Sequence, residues 1–137
     1  MATVTSNKAS AGVQPHGLRV GLVATTATFS VPSSMSSGDV IQMVKVPQNS
    51  QVHFVAVHCN LAGQGSFITG DGVSTSRYIG ASLMSVSAGS YLFPSTANQG
   101  YVPYTYSTDD TIDITISASV NVSAGAIYMT AIVNLDP

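Results

Sequence analysis

The stretch Thr111–Leu135, TIDITISASVNVSAGAIYMTAIVNL, alternates apolar and polar residues and decides the fold. From Thr111 to Val122 the even positions are apolar and the odd positions are polar. Because successive side chains point to opposite faces of a strand, this pattern predicts one strand of about 40 Å with a dry face and a wet face. Ser123-Ala124-Gly125 fits a three-residue hairpin loop. The return strand is then predicted at Ala126–Leu135.

Working towards the N-terminus, the remaining chain is predicted to consist of short strands separated by turns. Gly63 and Gly65 indicate a connection between two of them, and residues 81–86 fit either one helical turn or a loop. No segment of helix length has a 3.6-residue period. About eight strands without covering helices predict an all-β antiparallel β-sandwich or jelly roll. The upstream strands are expected at Arg19–Val31, Val40–Val46, Gln51–Cys59, Ser66–Thr69 and Tyr101–Tyr106.

The first 18 residues have no periodicity and are rich in small and polar residues. Such a segment buries too little apolar surface to fold alone, so residues 1–18 are predicted to form an extended N-terminal arm. Residues 19–137 are predicted to form the β-sandwich domain. Because chain ends are poorly ordered unless tied down, we expect other contacts, such as those with a neighbouring subunit, to hold the arm.

Charged residues are scarce. Asp, Glu, Lys and Arg together make up 7% of the 137 residues, glutamate is absent, and the net charge is −2. Four Lys and Arg residues cannot supply the basic surface that nucleic acid binding requires. Depletion of Lys and Glu is typical of protein interfaces, but a Ser/Thr-rich β-protein with few charges explains the composition equally well. Both explanations stay open from composition alone.

Membrane insertion and secretion are not expected. No run of about 18 apolar residues occurs, and residues 1–17 lack the apolar stretch of a signal peptide. The single cysteine, Cys59, excludes an internal disulfide framework. We therefore expect synthesis in a cytoplasm and no membrane partner.

Catalytic and cofactor-binding patterns are missing from the sequence. It contains no G-x-S-x-G nucleophile elbow, and its paired glycines lack a following Lys-Ser/Thr and a helix. His53 and Cys59 share a strand face but lie about 20 Å apart, and His58 points to the opposite face, so the three residues cannot chelate one ion unaided. We predict no enzyme activity, no metal site and no cofactor.

Two further groups of residues have alternative interpretations. Asp109, Asp110 and Asp113 could bind calcium, but they lack the ligand spacing of an EF-hand and more simply solvate a turn and a strand face. Tyr101, Tyr104 and Tyr106 form a tyrosine-rich stretch beside Pro103, which places it at a sheet edge or bulge. These tyrosines either pack in the core or form a contact patch for a protein or a sugar.

One part of the sequence resembles a known family. Val40–Pro47, a turn and Val52–Val57 lead to Gly70-Asp71-Gly72-Val73 and to Arg77-Tyr78-Ile79-Gly80. This stretch, about residues 38–80, is similar to the jelly-roll cement (decoration) protein of a short-tailed bacteriophage head. The size and the all-β pattern of the rest of the chain agree with it.

The resemblance implies a structural virion protein that attaches to the outside of an icosahedral capsid. It would bridge neighbouring subunits of the major capsid protein and pair with itself, preferably as a homodimer, with a trimer also open. The alternative is a carbohydrate-binding or fibre-head jelly roll that uses the tyrosine-rich stretch. Candidate capsid or subunit contacts follow from position only: Val4, Lys8, Pro15, His16, Arg19, Arg77, Tyr78, Tyr101, Tyr104 and Tyr106.

Overall fold

Nine β-strands form the regular structure of the part of the chain that the computed structural model describes, namely residues 2–6, 21–32, 34–83, 90–94 and 103–135. No helix occurs in these residues, which confirms the predicted all-β class. The strands are β1 (Thr3–Thr5), β2 (Leu22–Ser30), β3 (Ser34–Met35), β4 (Val40–Val46), β5 (Gln51–Gly70), β6 (Ile79–Leu83), β7 (Ser90–Phe93), β8 (Tyr104–Thr105) and β9 (Asp110–Asn134).

The two longest strands, β5 and β9, pair antiparallel over almost their whole lengths. The hairpin predicted at Ser123-Ala124-Gly125 is therefore wrong, because β9 continues through these residues. Gly125 has an extended φ of 159° and pairs with Leu61 of β5. The two halves of β9 hydrogen-bond to a distant strand instead of to each other, a pairing that local turn residues do not reveal.

The break predicted between Cys59 and Ser66 is also wrong. Gly63 and Gly65 lie inside β5, where the register against β9 shifts several times between Leu61 and Phe67. Such irregularities bend a strand and increase its twist, and glycine inside a strand often marks them. The glycines thus mark a bend in one strand and not a connection between two strands.

The β5–β9 ribbon belongs to two sheets. In sheet I, the second half of β9 lies between β2 and the first half of β5, and β7 and β8 pair with the other edge of β5. In sheet II, the first half of β9 lies between β4 and the second half of β5, with β1 beyond β4 and β6 beyond β5. The buried side chains form one apolar core, so the predicted β-sandwich is confirmed.

The core-facing side chains of β9 change phase between the two sheets. Ile112, Ile114 and Ile116 are buried in sheet II, whereas odd-numbered residues from Ile127 to Val133 are buried in sheet I. The alternation in the sequence predicts these residues correctly. It is wrong at Ala118, which was expected on the dry face and is exposed, and at Asp113, which was expected on the wet face and is buried. The phase changes inside a continuous strand because the register shifts between Leu61 and Phe67 of β5 place three extra residues in β9, and an odd number reverses the faces.

The first residues of the chain belong to sheet II. β1 runs parallel to β4, and the backbone N–H of Ser6 donates to the carbonyl oxygen of Gln42 at 2.7 Å. The Ser6 hydroxyl donates to the carbonyl oxygen of Met43, the residue at a β-bulge in β4. Residues 2–6 are therefore held by this chain's own sheet. Residues 7–18 of the predicted arm lie outside the described residues, and the domain boundary at residue 18 stays a prediction.

The segment that the sequence left open, residues 81–100, begins as a strand. Residues 81–83 belong to β6, which pairs with β5, so both predicted alternatives, a helical turn and a loop, are wrong there. Residues 84–86 lie outside the described residues. In the described part of the tyrosine-rich stretch, residues 103–106, the regular structure is the two-residue strand β8, directly after Pro103. β8 pairs with the first residues of β5, which places it at the edge that the proline predicts.

Candidate functional site

Four of the ten candidate contact residues lie together at one edge of the sandwich. Arg77 and Tyr78 end the loop between β5 and β6, and Tyr104 and Tyr106 lie in and directly after β8. Val4 lies in β1, where it is half-buried and packs against the core. The other five candidates lie outside the described residues: Lys8, Pro15, His16, Arg19 and Tyr101.

Asp71 organises the loop between β5 and β6. Its Oδ1 accepts hydrogen bonds from the backbone N–H groups of Val73 (3.0 Å) and Ser74 (2.7 Å). Its Oδ2 accepts from the hydroxyl of Tyr106 at 2.9 Å and from Nε of Arg77. Asp71 is only 1% exposed. A buried carboxylate with four donors fixes the loop in one conformation.

Gly70 is required for this loop to close. A Cβ at residue 70 would lie 2.0 Å from the carbonyl oxygen of Ser74, a contact that no side chain can make. The backbone N–H of Asp71 donates to that same oxygen at 3.0 Å. The sequence Gly70-Asp71-Gly72 thus combines a close backbone approach with an aspartate that binds the following N–H groups.

The electrostatics of Asp71 favour its ionised form. Burial alone raises the pKa of this carboxyl, but the hydrogen bonds from Arg77, Ser74, Tyr106 and Val73 outweigh burial and leave the pKa below its ordinary value. The guanidinium of Arg77 and the carboxylate of Asp71 therefore form an ion pair. The Arg77 side chain is 20% exposed.

Three tyrosines surround this ion pair. The guanidinium carbon of Arg77 lies 3.6 Å from the ring centroid of Tyr104, in cation–π geometry. The rings of Tyr104 and Tyr106 meet edge to face with centroids 4.8 Å apart. The Tyr106 proton points to Asp71, so the Tyr78 hydroxyl donates to the Tyr106 oxygen. We call Asp71, Arg77, Tyr78, Tyr104 and Tyr106 the tyrosine–arginine cluster.

Only part of the tyrosine–arginine cluster reaches the surface. Tyr78 and Tyr106 are each 3% exposed, and burial is the main cause that raises the pKa of both hydroxyls far above the ordinary tyrosine value. Both hydroxyls therefore bond within the chain, whereas Arg77 and Tyr104 are partly exposed. Val73 is 83% exposed on the same loop.

Sequence reasoning missed Asp71 as the centre of this site. The sequence identifies Gly70-Asp71-Gly72 as a turn and as part of the family resemblance. Neither interpretation shows that the Tyr106 hydroxyl, 35 residues away, donates to Asp71. A signal was present, because an aspartate in a turn often accepts backbone hydrogen bonds from residues two or three positions later. The tyrosine partners become visible only when β8 pairs with β5.

The acidic residues near the start of β9 have structural partners. Asp109 accepts from the backbone N–H of Gln48 at 2.7 Å, and Asp113 accepts from the hydroxyl of Thr111 at 2.6 Å. Burial is the first cause that raises the pKa of Asp113 to about 7; the nearby charges of Asp110 and Asp71 raise it further, against a lowering by Thr111. Within the described ranges, no group of three or more His, Cys, Asp or Glu side chains is arranged to hold a metal ion.

Two of the three residues that were considered for a metal site, His58 and Cys59, lie on the faces that the alternation predicts. Cys59 is buried and His58 is exposed, on opposite faces of β5. Burial raises the pKa of the Cys59 thiol to about 12, so it is a core side chain and not a nucleophile. No helix among the described residues is both long enough and apolar enough to span a membrane.

Comparison with known proteins gives a likeness of structure only. Neither a protein-family profile nor a curated protein matches the sequence. A chain in the capsid of Ralstonia phage GP4 superimposes with a TM-score of 0.77 at 13% identity, and the match covers 99% of this chain and 99% of that chain. The two chains share one fold.

Two other capsid chains support this assignment. A chain in the capsid asymmetric unit of cyanophage Pam1 matches with a TM-score of 0.67 at 14% identity, over 88% of this chain and 89% of that one. A chain in the acid-stable capsid of Helicobacter pylori bacteriophage KHP30 matches with a TM-score of 0.58 at 13% identity, over 86% and 92%. At such low identity the likeness extends to the fold and not to individual contact residues.

Proposed function

We propose that this chain is a structural virion protein that binds the outer surface of an icosahedral phage capsid and links neighbouring major capsid protein subunits. The observation that carries the proposal is the likeness to the GP4 capsid chain, which extends over 99% of both chains. It agrees with the cement-protein resemblance of residues 38–80, which rests on different observations. The protein is made in the host cytoplasm and works on the capsid exterior as a homo-oligomer, preferably a dimer.

The capsid contact that we propose is the edge formed by the β5–β6 loop and β8. Val73 projects an apolar side chain from a loop that Asp71 holds in one conformation, so little conformational entropy is lost when it docks. Arg77, at the end of the same loop, stacks on Tyr104 of β8, and both residue types are enriched at protein interfaces.

A binding assay on shells that lack the protein tests this contact. Val73→Asp places a charge at an 83% exposed position, so we expect a folded protein whose occupancy on the shells falls at least tenfold. Ser117→Asp is the matched control, because Ser117 is exposed on β9 of sheet II and outside the proposed contact. Full occupancy of both variants would show that the loop does not bind the capsid.

The arm is tested separately and by substitution. Deleting residues 1–17 would also remove β1 and the Ser6 hydrogen bond to the bulge in β4, and so would confuse stability with binding. Replacing Lys8, Pro15, His16 and Arg19 with serine leaves β1 intact. We expect weaker attachment to shells and unchanged thermal unfolding; unchanged attachment would contradict a role of these four residues.

The carbohydrate-binding alternative is less well supported. Within the tyrosine-rich stretch, Tyr106 is buried, and the guanidinium of Arg77 covers one face of the Tyr104 ring at 3.6 Å. A sugar would need an open aromatic face for stacking. Binding to a glycan array that is lost in Tyr104→Ala would favour this alternative over capsid attachment.

A further inference from the structure

The outward side of sheet I is an uncharged surface. It is formed by β2, β7, the first half of β5 and the second half of β9, and it contains no Asp, Glu, Lys or Arg in these strands. Three of the four exposed large hydrophobic side chains in the described residues lie on it, namely Leu22 (65% exposed), Leu92 (51%) and Tyr128 (37%). We call this surface the uncharged face.

The register of sheet I brings the side chains of this face together. Tyr128 pairs with Thr28 of β2 on one side and with His58 of β5 on the other, and the rings of Tyr128 and His58 are 6.2 Å apart. Leu92 pairs with Ala56, the residue two positions before His58 on the same side of β5. The middle of the face is therefore a continuous patch of aromatic, aliphatic and small side chains.

We infer that the uncharged face is the interface with a second copy of this chain, packed sheet against sheet around a two-fold axis. An isologous interface places the same surface on both sides, so a charge near the axis would meet its own copy. The uncharged face contains no such charge, and Leu92 and Tyr128 are of the residue types that lose least by leaving water.

The size of the face fits a dimer of modest affinity. Three strands of nine residues and one of four cover roughly 500 Å² at about 4.8 Å between strands and about 3.3 Å per residue. Two copies would bury roughly 1,000 Å², which is the lower limit for a specific interface. We therefore expect a dimer that dissociates in the micromolar range in solution. This inference deepens the homo-oligomer part of the proposed function by naming its surface.

Sedimentation equilibrium of the full chain tests the inference without capsids. We expect the mass of two chains at about 100 µM and dissociation on dilution into the micromolar range. Tyr128→Lys and Leu92→Lys each place two like charges in the interface, so the dissociation constant is expected to rise at least tenfold. Both positions are exposed, and thermal unfolding of each variant checks that it still folds.

Matched variants test whether the dimer interface is the uncharged face or another part of the surface. Tyr128→Phe keeps the ring and should keep the dimer. Ser117→Lys adds the same charge on the exposed side of sheet II and should leave the dissociation constant unchanged. A wild-type protein with the mass of one chain or three chains would overturn the inference, and so would equal weakening by Tyr128→Lys and Ser117→Lys.

Capsid binding is scored in a separate assay, so the two proposals fail independently. Shell attachment by a wild-type protein that is monomeric at all concentrations would overturn the interface and leave the proposed function in place. A dimer that the Tyr128→Lys variant disrupts, but that never attaches to shells, would support the interface and contradict the proposed function.

Discussion

Sheet I and sheet II have the same alternation towards the core but differ in charge. In the described residues, the strands of sheet I hold no charged side chain, and every charged residue lies in sheet II or in loops: Asp39, Lys45, Asp71, Arg77, Asp109, Asp110 and Asp113. Folding needs only the apolar alternation, which both sheets have, so it does not require this division. The difference separates a face suited to a like copy from an edge whose loop is fixed by an ion pair.

Removing the carboxylate at the centre of the charged edge is expected to have the largest effect. Asp71→Ala leaves the N–H groups of Val73 and Ser74, the Tyr106 hydroxyl and the Arg77 guanidinium without their acceptor. Breaking a buried ion pair in this way costs about 3–5 kcal/mol in the free energy of unfolding. Urea denaturation measures it, and Asp71→Asn, which keeps one acceptor oxygen, should lose less. A loss below about 1 kcal/mol would show that the cluster does not hold the loop.

Asp113 of sheet II should also make the free energy of unfolding depend on pH. Burial raises the pKa of Asp113 to about 7 from 3.8, so the folded chain binds this proton more tightly than the unfolded chain does. Stability from this group is therefore full below pH 3.8 and is lost as the pH rises to about 7. A shift of this size corresponds to a loss on the order of 4 kcal/mol above pH 7.

Asp113→Asn isolates that dependence, because asparagine stays neutral and its oxygen can still accept from Thr111. The variant's advantage in free energy of unfolding over the wild type should grow between pH 4 and 7 and then stay constant. Asp71 has the opposite sign, since its lowered pKa makes its contribution disappear only when the pH falls below the ordinary aspartate range. Parallel pH profiles of wild type and Asp113→Asn would contradict the raised pKa of Asp113.

A smaller loss is expected at the tyrosine that links the charged loop to β8. Tyr106→Phe removes the donor to Asp71 and the acceptor for Tyr78 but keeps the ring that contacts Tyr104. Removing a hydrogen bond to a charged group costs about 1.5–3 kcal/mol. Tyr128→Phe is the control, since Tyr128 is an exposed tyrosine of β9 outside the cluster. An equal loss in both variants would mean that the Asp71 bond contributes nothing specific.

The sequence predicts the parts of this fold that depend on neighbouring residues. The strand predicted at Val40–Val46 has the observed bounds of β4, and period-two alternation identifies the core residues Ile112, Ile114 and Ile116 and those from Ile127 to Val133 in β9. It cannot decide whether two alternating segments pair with each other or with a third, because Ser123-Ala124-Gly125 is compatible with both a turn and an extended strand. Long-range pairing with β5 decides that question, and it is not encoded in the turn residues.

The candidate site was predictable to the same limited extent. Arg77, Tyr78, Tyr104 and Tyr106 were selected by residue type and position, and the structure brings them together. The sequence could not show that two of them are buried, because a tyrosine at a sheet edge fits a core or an interface equally well. The uncharged face was also hidden, since the low charge of the whole chain gives no sign that the charges are all kept off one sheet.

The smallest expected effect is that of salt on the dimer, and it tests directly whether the interface is confined to the uncharged strands of sheet I. If the dimer forms through a face without charges, its dissociation constant should not rise when sodium chloride increases from about 50 mM to about 500 mM, which shortens the Debye length from about 14 Å to about 4 Å. The same titration on Ser117→Lys checks that an added charge on sheet II does not change this result. A several-fold weakening of the wild-type dimer with salt would mean that charged groups stabilise it. The interface would then include the charged edge, where Arg77 and Asp71 lie, and could not be confined to sheet I.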